Sequence, residues 1–161
     1  FPGFLMATKK MALIATKGTL DMAYPPFILG STAAALGWEV QIFFTFYGLQ
    51  LLRHDLEGVK ISPLANPAMP MPVPMPVMVQ MLPGMESMAT MMMKNKMKSK
   101  GVASLKELRD LCLEAEVKFI ACQMTVDLFE FQPSEFIKDV EFGGAATFMK
   151  FAGESDVCLF I

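Results

Sequence analysis

The 161-residue chain holds a single histidine, His54, and no C-x-x-C pair, so it lacks the clustered nitrogen and thiolate ligands of a zinc-type centre. Neither G-x-x-x-x-G-K-[ST] nor G-x-G-x-x-G occurs, which removes the phosphate-cradling loops of nucleotide-binding proteins. A Ser-His-Asp arrangement would have to use His54, and its setting, LLRHDL, reads as surface. The formal charge of −2 leaves no excess of cations for a nucleic-acid footprint. The opening FPGFLMATKK lacks the charged, apolar and small-residue order of a signal peptide. With only three cysteines, an odd number, the expected setting is a reducing cytoplasm with free thiols rather than a disulfide framework.

What the chain has in excess is apolar surface. Hydrophobic residues make up 53% of it and 16 positions are methionine. A chain this apolar is expected to cover part of itself with a subunit interface, a partner or a membrane face. Two stretches have the low charge of membrane spans: 27–52 carries only Glu39, and 61–93 only Glu86. The first divides at Gly37 into a helix end and a strand. The second is interrupted by Pro63, Pro67, Pro70, Pro72, Pro74, Pro76 and Pro83, which a spanning helix does not tolerate. We read one domain over 1–161 with a Met/Pro-rich insertion at about 63–100. Prolines at alternate positions from 70 to 76 predict an extended, polyproline-like loop. Beyond it, Met81, Met85, Met88 and Met92 are spaced to form one apolar helix face, closed by the cationic run Lys94–Lys100. That run suits an acidic partner or peripheral contact with an anionic membrane. Soft thioethers between Met69 and Met97 also raise a copper(I) site, although adaptable interface filler is the commoner use of methionine.

Strand and helix patterns alternate through the rest. KMALIAT (10–16), WEVQIFFTF (38–46), VKFIAC (117–122) and DVCLFI (156–161) read as buried strands, with a fifth around Val140–Phe142. Thr19 or Asp21 can cap a first helix ending at Gly37, and Pro25-Pro26 would move its start towards Tyr24. A short amphipathic piece is expected from Leu49 to Leu56. In SLKELRDLCLEAE, Ser104 and Glu107 form a capping box, and Leu105, Leu108, Leu111, Cys112 and Ala115 the expected buried stripe. TVDLFEF reads as a short helix, and EFGGAATFMKFAGES as a glycine-led one. The alternation predicts a three-layer α/β/α sandwich around a mainly parallel sheet of four to five strands. Ligands of such sheets sit beyond the carboxyl ends of the strands, which draws Thr16–Asp21, Thr45–Gly48 and Cys122 to one rim.

Cys122 ends a buried strand just where a helix begins. Backbone N–H groups there favour thiolate, the form that accepts or passes on sulfane sulfur. Burial alone explains a cysteine in that position equally well. Cys112 falls in a helix stripe and Cys158 inside the last strand, so both read as core, while a Cys122–Cys158 redox pair stays open. Asp21, Asp127 and Glu130 could orient a group at the rim, but caps and solvated faces account for them more simply.

The segments KMALIATKGTLDMAYPPFILGSTAAALGWEVQIFFTFYGL and LKELRDLCLEAEVKFIACQMTVDLF, followed by a glycine-led helix and a short strand, resemble the DsrE/DsrF-like proteins over nearly the whole chain. More narrowly they resemble the longer DsrE-like subgroup often labelled "peroxiredoxin family". The Thr/Cys/Arg constellation that activates peroxide is not visible here. The resemblance implies a small cytoplasmic homo-oligomer that carries sulfur as a cysteine persulfide, with Cys122 as the functional cysteine; it transfers no second catalytic residue, and Cys158 is only a candidate helper. It implies TusA-like sulfur carriers and rhodaneses as partners, while the near-balanced charge already argues for no nucleic acid. No cofactor is required, since cysteine performs the covalent step itself. The alternative is a non-catalytic interaction or membrane-associated protein that works through the Met-rich segment.

Overall fold

Five parallel strands in the order β4-β3-β2-β1-β5 build the sheet. They are β1 (Lys10–Ala15), β2 (Glu39–Phe44), β3 (Lys118–Cys122), β4 (Val140–Gly143) and β5 (Val157–Phe160). The computed structural model describes residues 7–61 and 76–161. The polyproline-like loop expected through 70–76, Pro76 excepted, and the start of the Met/Pro-rich segment therefore lie outside the described residues. Among the described residues, no helix is long and apolar enough to cross a membrane. The expected α/β/α arrangement is present, and the fifth strand is β4.

Each central strand divides its side chains between two apolar layers. Leu13, Ile42, Phe44, Phe119 and Ala121 pack with α1 (Leu20–Ala35) and α4 (Leu105–Glu114) on one face. Their neighbours Ala12, Phe43, Ile120 and Cys122 pack with Phe148 and Phe151 of α6 (Ala145–Gly153) on the other. This is why strands such as FIAC (119–122) read as unbroken apolar runs: both faces are covered. Phe27, Phe44 and Phe119 lock the first layer with ring centroids 5.2–6.0 Å apart.

Four local expectations are corrected. Helix α1 begins at Leu20, not near Tyr24, so Pro25 and Pro26 lie inside it. Each proline forgoes one helical hydrogen bond. Burial of Leu20, Ala23, Tyr24 and Phe27 offsets that loss, and the Leu20 N–H is held by the Lys60 carbonyl at 2.7 Å. The piece expected at Leu49–Leu56 is a 3-10 helix over Phe46–Leu52. In α4 the capping box forms, but Leu111 and Ala115 face solvent and Arg109 is buried with Leu105 and Cys112. Arg109 Nη1 donates to the carbonyls of Leu51 and Arg53 at 3.0 and 2.6 Å, tying α4 to the end of the 3-10 helix. Finally, the predicted methionine face is not the packed one. Met81 precedes α3 (Met85–Ser99), and Met88 and Met92 are exposed, whereas Ala89, Thr90, Met93 and Met97 turn towards the core. With methionine at so many positions, spacing alone does not select a face.

Cys112 is fully buried, as expected of a core thiol, and its S–H points at the Phe27 carbonyl, 3.3 Å away. Burial pushes this thiol up to about 12, against the weaker opposing effect of Ser31. Stability contributed by keeping it neutral is complete below the unfolded thiol value of about 8.5 and declines as pH rises towards 12. We expect an alkaline loss approaching ~1.4 kcal/mol per pH unit in that window. Urea titrations of wild type and Cys112→Val between pH 8 and 11 check this: the valine variant should show the shallower decline.

Candidate functional site

The connection leaving β3 runs through α5 (Gln123–Leu128), whose Val126 packs into the α1/α4 layer. The connection leaving β4 runs through α6 into the opposite layer. Adjacent strands whose connections diverge to opposite faces open a crevice at their carboxyl ends, the switch point where α/β proteins place ligands. Cys122 lies there, paired in register with Gly143. Gly144 caps α6 one residue further on, so the first-turn N–H groups of α6, which have no partner within the helix, end at the same crevice.

Cys122 is itself the N-cap of α5 and is 5% exposed, with its side chain in the α6 layer. Burial is the largest single influence on its thiol and opposes ionisation. Polar groups facing it outweigh burial: the Thr125 hydroxyl and N–H, the Thr45 hydroxyl and the Met124 N–H together draw the thiol below its ordinary value, although its side chain makes no capping hydrogen bond. The result is a cysteine shielded from bulk water yet biased towards thiolate, the nucleophilic form.

The two threonines form one unit. Their hydroxyls lie 3.1 Å apart, and the Phe46 N–H donates to Thr125 Oγ1 at 3.3 Å. Thr45 follows the last residue of β2, and Thr125 sits at the third position of α5, one helical turn from Cys122. Phe46 holds φ at +48°, a left-handed conformation uncommon for a bulky residue, and such strain gathers at functional sites. The turn is pressed from below: Thr45 N–H donates to the Ala15 carbonyl at 3.1 Å, and a Cβ on Gly48 would sit 2.1 Å from that same oxygen. Replacing Thr125 with Val should raise the Cys122 thiol and slow its alkylation at pH 7 several-fold, while Thr125→Ser restores the rate. The pH dependence of iodoacetamide labelling, followed at the Cys122 peptide, measures this.

The other candidates fall elsewhere. Cys158 is exposed on β5, an edge strand that α6 leaves uncovered, so the core reading does not hold for it. It shares a sheet face with Cys122, but registers through Ala12, whereas Cys122 is level with the residue after Ala15. Three strand spacings and four residues of rise separate them by roughly 20 Å. A disulfide needs Cα atoms within about 7 Å, so the two do not meet within one chain. Asp127 accepts from Gln123 Nε2 at 2.8 Å on the exposed side of α5. His54 is exposed and its Nε2 lies 3.0 Å from the Ser134 carbonyl. The strand-end rule brings Thr45 to the same rim as Cys122 as the start of the Thr45–Gly48 loop, but nothing in the sequence selects its hydroxyl, and Thr125 has no signal beyond being a polar residue three places after Cys122.

A five-stranded parallel α/β sheet with helices on both faces, carrying a shielded cysteine at the carboxyl end of β3, defines the fold class. The chain belongs to the DsrE/DsrF/DrsH-like family, whose model matches residues 7–160. It is 66% identical over 160 residues to the sulfur carrier protein DsrE2 of Allochromatium vinosum, an alignment covering 97% of this chain and all of that protein. It is 34% identical to the uncharacterized protein YrkE of Bacillus subtilis, over 96% of this chain and 98% of that one. In fold it is similar to the ychN protein from E. coli, with a TM-score of 0.55 at 10% identity, over 96% of this chain and all of that one.

Proposed function

We propose that this protein is a sulfur carrier that holds sulfane sulfur as a persulfide on Cys122 and passes it between partner thiols. The observation that carries the reading is the thiol at the β3/β4 switch point, shielded by the sheet and drawn towards thiolate by Thr45, Thr125 and the N–H of Met124. Family membership and the similarity to a sulfur carrier protein support the same chemistry. In loading, the Cys122 thiolate attacks the outer sulfur of a donor R–S–S–H. The donor S–S bond breaks, R–S⁻ leaves, and Cys122 retains S–S–H. Unloading is the same displacement by an acceptor thiolate, with no net oxidation and no cofactor. TusA-like carriers and rhodaneses are the partners this reading favours, in a cytoplasmic setting and with a homo-oligomeric carrier. Cys158, exposed and distant, is kept as a helper only between chains or towards a partner.

Intact mass after incubation with polysulfide, thiosulfate or tetrathionate tests the reading. The expected result is a reductant-sensitive gain of roughly 32 Da per sulfur atom, or roughly 112 Da for a thiosulfonate, mapped to the peptide containing Cys122. Folded, reduced protein that takes up no sulfur from any donor would defeat it.

A further inference from the structure

The segments that follow Thr45 and Cys122 carry large apolar side chains that stand exposed among the described residues. Tyr47 is 66% exposed, Met124 63% and Leu128 60%, with Phe46 and Phe129 also exposed. Tyr47 stacks on Phe129 with centroids 6.3 Å apart, and Phe46 meets the same ring edge-on at 6.3 Å. Met124 and Leu128, four residues apart, share the exposed face of α5, the helix whose N-cap is Cys122, and Thr125 is buried on its other side. Phe46, Tyr47 and Phe129 form one aromatic cluster, and with the exposed Met124 and Leu128 they make an apolar rim on the two segments that follow Thr45 and Cys122. Its α5 side is acidic: from Gln123 to Ile137 the chain contains Asp127, Glu130 and Glu135 and no lysine or arginine, whereas Lys138 follows directly and Lys17 precedes Gly18, which abuts the Tyr47 backbone. Arg53 engages Glu135 at 3.0 Å, and among the described residues Asp127 and Glu130 have no cation at ion-pair distance.

Resting on the carrier reading above, we propose that this rim is a docking surface for a protein-borne cysteine set in an apolar segment flanked by basic residues. Two physical constraints select that occupant. A thiol that is only 5% exposed offers little to a freely diffusing solute, and an apolar segment gains by covering those side chains where a hydrated anion must shed water. The carboxylates of Asp127 and Glu130 attract cations beside the entering cysteine and repel an acidic segment. Once docked, the partner thiolate attacks the outer sulfur of Cys122–S–S–H. The S–S bond breaks, Cys122 leaves as thiolate, and the partner becomes R–S–S–H, with atoms and electrons balanced.

Docking and sulfur chemistry are separable in one experiment. Two fluorescent nonapeptides share a central serine and apolar neighbours, and carry either lysines or glutamates at their ends. Their binding to the Cys122→Ser chain is followed by anisotropy. The lysine peptide should bind at least ~10-fold more tightly. Tyr47→Ser with Leu128→Gln should remove its binding, and Asp127→Lys with Glu130→Lys should reverse the preference. Equal binding of the two peptides, or binding indifferent to these surface changes, overturns the proposal. So does a dimer of the chain itself that the Tyr47/Leu128 variant dissolves, since a second copy would then own the rim. In the parallel arm, persulfidated wild type is mixed with the same peptides carrying cysteine. Failure to load or transfer despite selective binding would defeat the carrier reading and leave the docking surface standing; normal loading without selective binding would do the reverse.

Discussion

Cys122→Ser is expected to abolish reducible sulfur uptake while leaving the fold intact. Serine differs from cysteine by one atom, and its hydroxyl would sit among Thr45, Thr125 and the N–H of Met124, groups able to satisfy it. The change should therefore cost little stability and remove the nucleophile outright, because a serine hydroxyl at neutral pH is not ionised and cannot hold a persulfide. The other two cysteines make the prediction selective. Cys112→Ser removes a buried thiol that burial already holds neutral, so loading should persist although stability falls by about 1–3 kcal/mol. Cys158→Ser changes an exposed thiol roughly 20 Å away and should leave single-chain loading at the wild-type level. Any effect of Cys158→Ser on the onward transfer step would assign it a part between chains. Mass spectrometry of the three variants after polysulfide treatment, with melting curves alongside, separates these outcomes. Substantial uptake by Cys122→Ser would move the chemistry to another thiol.

Gly48→Ala is expected to have the largest effect on stability of any single methyl addition in the site. The new Cβ would lie 2.1 Å from the Ala15 carbonyl oxygen and 2.9 Å from its carbon, both backbone atoms of a central strand. Neither can rotate away, so the 45–48 turn or the end of β1 must shift. Overpacking of this kind ordinarily costs about 1–3 kcal/mol, and rigid backbone on both sides places this case at the upper end. The site should be disturbed with the fold, because the same turn supplies the Thr45 hydroxyl and the Phe46 N–H. Gly58→Ala, where an added Cβ meets nothing within 4 Å, is the control and should melt close to wild type. Chemical denaturation midpoints for the two variants decide the matter; equal midpoints would mean the turn yields more easily than its packing implies.

Much of this protein was determined locally and could be read from the chain. Alternating apolar strands and capped helices specify a parallel α/β sheet, because βαβ units have few ways to cover both faces of a strand. The Ser104–Glu107 capping box needs only residues three apart, and it forms as read. Cys122 stood out because a strand end and a helix start meet at one residue. Only the tertiary structure decided what surrounds it. Thr45 lies 77 residues before Cys122, and nothing in local spacing brings its hydroxyl to the thiol; the β2–β3 register does. The same non-local geometry buried Arg109 in place of Leu111, because the carbonyls of Leu51 and Arg53 converge there. It also turned Met88 and Met92 outward, and separated Cys158 from Cys122 by setting β5 beside β1 at the far edge. Sequence periodicity can show that a face is apolar, but the order of the strands decides which faces are covered and which side chains meet.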